Sequence, residues 1–214
     1  MKKQIAVLMM LCLLCGAAMA EVSPRILIAY VSRAGENYNV GVTDPNSSSA
    51  AYAGYVEKGN TEIVAERIAE LTGGDLYHIT TVEPYPDDYA SMLTRAQEEL
   101  DADARPELMG ELPNLEDYDI IMIGYPIWHG ATPRPVLTFL ESYDLSGKKL
   151  VPFNTHEGSG QSGTVSEIAA SAPNADMLDG IAIQGKVAQE DDTHTRELLI
   201  EWLDNNKLIV STKP

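Results

Sequence analysis

Hydrophobic positions along the chain gather into short, almost uninterrupted runs. Arg25-Ile26-Leu27-Ile28-Ala29-Tyr30-Val31 is the first and Asp119-Ile120-Ile121-Met122-Ile123-Gly124-Tyr125 the second. Lys149-Leu150-Val151-Pro152-Phe153-Asn154 and Met177-Leu178-Asp179-Gly180-Ile181-Ala182-Ile183 follow. Runs with so little polar alternation mark strands buried on both faces of a parallel sheet. Leu76-Tyr77-His78-Ile79 is shorter and fits an edge strand.

Between these runs the apolar spacing lengthens to a helical period. Residues 61–71 put Ile63, Val64, Ile68 and Leu71 on one stripe, and Gly73-Gly74 stops it. Further helices are predicted over 89–100, 133–143, 165–172 and 192–207. Prolines are confined to the start of the 133–143 helix. Leu198, Leu199, Trp202 and Leu203 form the inward stripe of the last helix. Strand and helix alternate throughout, which implies an α/β domain with a parallel sheet and helices on both faces.

Residues 36–57 follow neither period. They are rich in Asn, Ser, Gly and Ala, with Tyr38, Tyr52 and Tyr55 spaced among them. A long irregular segment inside a compact domain is a functional or mobile insertion.

The N-terminus has its own logic. Met1-Lys2-Lys3-Gln4 precedes an apolar run over 5–14, which ends in Gly16-Ala17-Ala18-Met19-Ala20. A charged start, a short apolar core and an Ala-x-Ala end are the parts of a secretory signal peptide, expected to be cut after Ala20. The run is too short for a permanent bilayer span. The domain is then 21–214, exported to the periplasm or the extracellular space. Cys12 and Cys15, the two cysteines of the chain, leave with the signal. The mature protein then has no disulfide, no Cys-ligated metal and no Cys nucleophile. A lipid anchor at Cys15 is the rival reading, but Leu14 stands where processing calls for a small residue.

Net charge is −17, from 32 acidic and 15 basic residues. Losing Lys2 and Lys3 makes it more negative. Such a surface repels nucleic acid and anionic membrane, and suits a basic redox partner or simply solubility.

Candidate chemistry lies in the loops after three strands, because open parallel sheets bind ligands at the carboxyl ends of their strands. The first loop opens Ser32-Arg33-Ala34-Gly35 and resumes, after the insertion, as Lys58-Gly59-Asn60-Thr61 at a helix start. Backbone amides there attract phosphate, although Asn60 or Thr61 as a plain helix cap explains the same residues. The second loop is Tyr125-Pro126-Ile127-Trp128-His129-Gly130, whose Trp suits either a planar ring or the core. The third, Thr155-His156-Glu157-Gly158-Ser159-Gly160, is too glycine-rich for packing and offers many N–H donors. His129 and His156 lack companion ligands at metal-binding spacing, so no metal site is expected. Asp87 and Asp88, after Pro84 and Pro86, read as a turn.

Taken together, the three loops resemble the flavodoxin family. Ala29-Tyr30-Val31-Ser32-Arg33-Ala34-Gly35, completed by Gly59-Asn60-Thr61-Glu62, looks like its phosphate loop split by an insertion. Gly124-Tyr125-Pro126-Ile127-Trp128-His129-Gly130 looks like its ring-facing loop, and the third segment like its second flavin loop. The resemblance implies a doubly wound five-stranded parallel sheet of order 2-1-3-4-5 with FMN as cofactor. It implies that Ser32, Asn60 and Thr61, with the amides around Gly59 and neighbours Arg33, Ala34 and Lys58, hold the phosphate. Trp128 would flank the flavin ring, with Pro126, Ile127, His129 and Gly130 beside it. Residues Thr155, His156, Glu157, Gly158, Ser159 and Gly160 would donate to the pyrimidine edge and ribityl chain. The third loop has His156 where many flavodoxins stack a Tyr, which leaves one ring face more open.

Three functions fit the resemblance: an electron carrier serving a partner protein or small acceptor, an NAD(P)H-dependent quinone or flavin reductase, and a binding protein without FMN. Acidic surroundings disfavour added charge on a bound flavin, which suits the carrier. The insertion is expected to act either as a lid over the ribityl–phosphate side or as a loop whose tyrosines pack permanently.

Overall fold

The computed structural model describes residues 24–36 and 55–209. The proposed signal segment, Cys12, Cys15, Tyr38 and Tyr52 lie outside the described residues.

Strand β1 (Ile26–Tyr30) is buried along its whole length. Leu27 and Ala29 point into one hydrophobic core, and Ile26, Ile28 and Tyr30 into another. That two-sided burial is what an unbroken apolar run requires. After β1 come a short antiparallel pair, β2 (Gly35–Glu36) and β3 (Tyr55–Val56), then helix α1 (Asn60–Thr72). Helix α1 stops at Gly73, whose φ of 73° is left-handed, as the Gly-Gly signal predicts. The chain continues through β4 (Asp75–His78), α2 (Tyr89–Asp101), β5 (Ile120–Pro126), α3 (Arg134–Glu141), β6 (Lys149–His156) and α4 (Thr164–Ser171). It ends with β7 (Asp176–Met177), β8 (Ile181–Gln184), α5 (Gly185–Glu190) and α6 (Asp192–Asn205). Asp88, read as a turn residue, also caps α2: its carboxylate accepts from the Ser91 amide.

The main sheet runs β4-β1-β5-β6, with β7 and β8 both pairing in parallel with β6. Counting β7 and β8 as one broken strand, the order is 2-1-3-4-5, as expected. Helices α2, α3 and α4 cover one face through Met92, Val136, Phe139, Leu140 and Ile168. Helices α1 and α6 cover the other through Val64, Ile68, Leu199, Trp202 and Leu203. Each such fully buried aliphatic side chain contributes roughly 1.5–3 kcal/mol.

The break in the last strand has a local cause. Leu150 pairs with Met177, but Phe153 pairs with Ile181, so the last strand carries one residue more than β6 across the gap. Pro152 lies opposite this gap and has no N–H to offer the ladder. Gly180 passes so close to it that a Cβ would sit 2.9 Å from both its ring and its carbonyl oxygen. The single strand predicted over 177–183 is therefore two strands around a bulge. Helix α5 and the β2–β3 pair were not predicted; both are too short for a periodic signal.

Candidate functional site

The carboxyl ends of β1, β5 and β6 lie side by side, because these three strands are adjacent in the sheet. Their loops meet the start of α1 around a cavity of about 140 Å³. Ser32, Arg33, Asn60, Thr61, Pro126, Ile127, Trp128, His129, Thr155, His156 and Glu157 line it. Three segments far apart in sequence are thus brought to one place.

The loop after β1 is split in sequence, but its two halves meet in space. Gly59 is the N-cap of α1 and makes no side-chain cap. Ser32, on the far side of the insertion, supplies one instead: its hydroxyl accepts from the Glu62 amide at 3.1 Å. The fit is tight, since a Cβ on Gly59 would lie 2.2 Å from the Ser32 hydroxyl and 2.5 Å from the Arg33 carbonyl oxygen. Such distances leave room for glycine alone. Arg33 reaches across to the carbonyls of Pro86 and Asp87, pinning the loop that precedes α2. The Thr61 hydroxyl is buried against that of Thr155 at 2.8 Å. Lys58 turns away from the cavity to pair with Glu66 at 2.7 Å.

The loop that follows β5 is held by its backbone and by α2. His129 and Gly130 both take left-handed conformations, at φ 50° and 75°. The His129 Nε2–H donates to the Leu93 carbonyl at 2.9 Å, so this nitrogen anchors the loop. Trp128 is 7% exposed. Its indole meets the Tyr85 ring at 4.8 Å between centroids, tilted by 59°. The Tyr85 hydroxyl donates to Glu99, whose carboxylate also pairs with Arg95 at 2.8 Å. Trp128 is therefore a wall of the cavity as well as part of the core.

In the third loop, the Gly158 amide donates to His156 Nδ1 at 2.9 Å. That requires a neutral ring with its proton on Nε2, and burial does lower the His156 pKa. Glu157 is the unusual group. Burial pushes its carboxyl up to about 7. Its Oε1 is 3.4 Å from Asn60 Nδ2, while its Oε2 is buried without a hydrogen-bond partner.

Ala34 faces a second cavity of about 290 Å³, which shares Ser32, Arg33 and Trp128 with the first. Gly59, Gly130, Gly158, Ser159 and Gly160 are not on the lining of the first cavity. Tyr89, Met92 and Leu93 are, and sequence reasoning missed them. Their spacing on α2 reads as ordinary core stripe, so no local signal separates the two roles. Gln189 was missed too; it donates to Asn60 Oδ1 at 2.8 Å from the unpredicted α5.

The sequence profile described as Flavodoxin matches residues 49–206. The chain belongs to the flavodoxin family. Its likeness to solved structures follows that assignment. A candidate flavoprotein from Bacteroides eggerthii is similar at 28% identity and TM-score 0.64, over 86% of this chain and 98% of that one. One from Bacteroides uniformis is similar at 26% identity and TM-score 0.62, over 85% and 99%. A Lactobacillus acidophilus flavoprotein in complex with FMN shares the fold at 20% identity and TM-score 0.56, over 84% and 98%. A comparison with curated proteins finds no match.

FMN is the cofactor of the flavodoxin family, and the residues present fit it. The start of α1, uncapped by its own N-cap residue, presents the kind of terminus that holds a phosphate. Left-handed residues at His129, Gly130, Gly158 and Gly160 turn the backbone of the loops that follow β5 and β6. The unpartnered Glu157 oxygen leaves hydrogen-bonding capacity for a ligand.

Proposed function

We propose that this protein binds FMN in the cavity at the ends of β1, β5 and β6 and carries electrons between partners outside the cytoplasm. The observation that carries the reading is the convergence of the three loops and the α1 N-terminus on one cavity. When bound, FMN supplies one- and two-electron chemistry. The chain's own residues bind, orient and shield it. Asn60 and Thr61 present the α1 terminus to the phosphate, with Ser32 and Gly59 fixing its shape. Trp128, Pro126 and Ile127 form an apolar wall that excludes water from one side. His156, with its proton on Nε2, offers a donor at the open side.

A net charge of −17 favours a basic protein partner and disfavours an anionic pyridine nucleotide. The export element of the proposal rests on the N-terminal pattern of residues 1–20, and N-terminal sequencing of the secreted protein tests it. A second reading, NAD(P)H-dependent quinone or flavin reductase, is favoured by the second cavity beside Trp128, which offers room for a substrate. Absorption of the purified chain titrated with FMN tests cofactor binding. Photoreduction without turnover of NAD(P)H supports the carrier; NAD(P)H oxidation with a quinone supports the reductase.

A further inference from the structure

Glu157 has no part in the function proposed so far, yet it sits where the phosphate end of a flavin would be received. It follows the end of β6 and lines the cavity with Asn60 and Thr61, the first residues of α1. Helix α5 closes in behind it. A Cβ on Gly185 would lie 2.1 Å from both Glu157 Oε1 and Asn60 Nδ2, so neither side chain has room to retreat that way. Gln189 donates to Asn60 Oδ1 and to the Lys58 carbonyl, each at 2.8 Å. The Asn60 amide is thereby fixed with its nitrogen toward Glu157. One carboxyl oxygen thus has a weak donor, and the other has none.

We infer that Glu157 links phosphate binding to protonation: FMN is held with Glu157 as the neutral acid, and its binding draws a proton from solution onto that carboxyl. The inference rests on the FMN-binding reading. In the ligand-free protein the positive end of α1 and the Asn60 amide favour the carboxylate, while burial opposes it. A phosphate at the same helix end takes over the favourable field and adds like charge. Both effects raise the Glu157 pKa in the complex above its ligand-free value. The neutral acid also gives the buried Oε2 a proton to donate to a ligand oxygen, which removes an unsatisfied group.

The charged and titratable groups on neighbouring elements are engaged elsewhere. Arg33 holds the Pro86 and Asp87 carbonyls. Lys58 pairs with Glu66, and Lys186 lies 3.9 Å from Glu190 along α5. Glu62 acts on Tyr30 and Lys58, and the Nδ1 of His156 is taken by the Gly158 amide. Burial is what raises the ligand-free Glu157 carboxyl, to about 7.

A pKa raised by the ligand means full affinity below the ligand-free value and a decline above it, about tenfold for each unit of the rise. FMN itself loses its second phosphate proton near pH 6, so the window above pH 7 isolates Glu157. The test is titration of FMN and of riboflavin, which has no phosphate, into wild type and Glu157→Gln between pH 6 and 9. Calorimetry at pH 7.5 in two buffers of different ionisation enthalpy counts protons. Wild type should lose about tenfold in FMN affinity across pH 7–9 and take up a measurable fraction of a proton. Glu157→Gln should show a flat profile and no uptake, and riboflavin no slope in either protein. A flat wild-type profile with no uptake, a slope that survives in Glu157→Gln, or an equal slope for riboflavin overturns the inference and leaves the FMN reading intact. Failure of wild type to bind FMN at pH 6 overturns the FMN reading itself. If Glu157→Gln does not fold, the proton count of wild type with FMN against riboflavin decides alone.

Discussion

The hydroxyls of Thr61 and Thr155 meet 2.8 Å apart beneath the cavity, tying the first turn of α1 to the end of β6. Both residues are buried, so this bond is made in the absence of any ligand. Thr61→Val keeps the shape and leaves the Thr155 hydroxyl unpaired. It should lower unfolding free energy by about 1–3 kcal/mol, the cost of an unsatisfied buried polar group. Urea unfolding measures it. The preference for FMN over riboflavin should stay near wild type, because this hydroxyl is already engaged within the protein.

Gly59→Ala should do the opposite. Its methyl would collide with the Ser32 hydroxyl and the Arg33 carbonyl, displacing the cap that Ser32 provides for the Glu62 amide. FMN affinity should fall at least about tenfold, the equivalent of one lost charge-assisted hydrogen bond. Riboflavin affinity should fall less. Parallel titrations of the two ligands check the prediction, and equal losses would remove Gly59 from the phosphate end.

Trp128 serves the core and the cavity together. Trp128→Ala removes a buried indole packed on Tyr85 and should cost about 3–5 kcal/mol of stability. Trp128→Phe should recover most of that and leave FMN affinity within a few-fold of wild type. Thermal unfolding with and without FMN reads both effects. Wild-type stability in Trp128→Ala would place the ring outside the core.

Glu157 also makes the ligand-free protein sensitive to pH. Its carboxyl is raised by burial from 4.5 to about 7. A raised folded-state pKa contributes stability that is present below the unfolded value and lost as pH climbs through the folded one. Glu157→Gln should therefore equal wild type near pH 5 and exceed it at pH 8. The gain is on the order of 1–2 kcal/mol after allowing for partial solvation. Denaturant midpoints at the two pH values decide it.

How much of this was legible in the sequence depends on the range of the signal. The buried strands 26–30, 120–126 and 149–156 announce themselves because a strand covered on both faces has few polar positions to interrupt its apolar run. The three loops were legible because glycine and Ser/Thr cluster at the strand ends, where they are poor material for packing and offer donors instead. Helix α5 was not, since six residues span less than two turns. The Ser32 cap on Glu62 was hidden too, because the two residues are joined only through the fold. The roles of Trp128 and Thr61 needed the structure for a different reason: a side chain at a cavity wall looks the same in sequence as one in the core. The bulge at Gly180 follows from Pro152 on the neighbouring strand, a pairing that no single run of residues reveals.

The antiparallel pair β2–β3 matches Gly35 with Val56 and Glu36 with Tyr55, so the chain leaves and re-enters the phosphate loop at almost the same point. With both ends clamped, the closure-entropy cost of the intervening segment changes only with the logarithm of its length. Replacing residues 37–54 by a four-residue turn represents about two halvings, or about 1.2 kcal/mol of closure entropy. The position is therefore a natural splice point. A foreign domain with neighbouring termini, inserted between Glu36 and Tyr55, would load its own strain directly onto the Ser32–Gly59 junction, making flavin affinity a gauge of the guest's conformation.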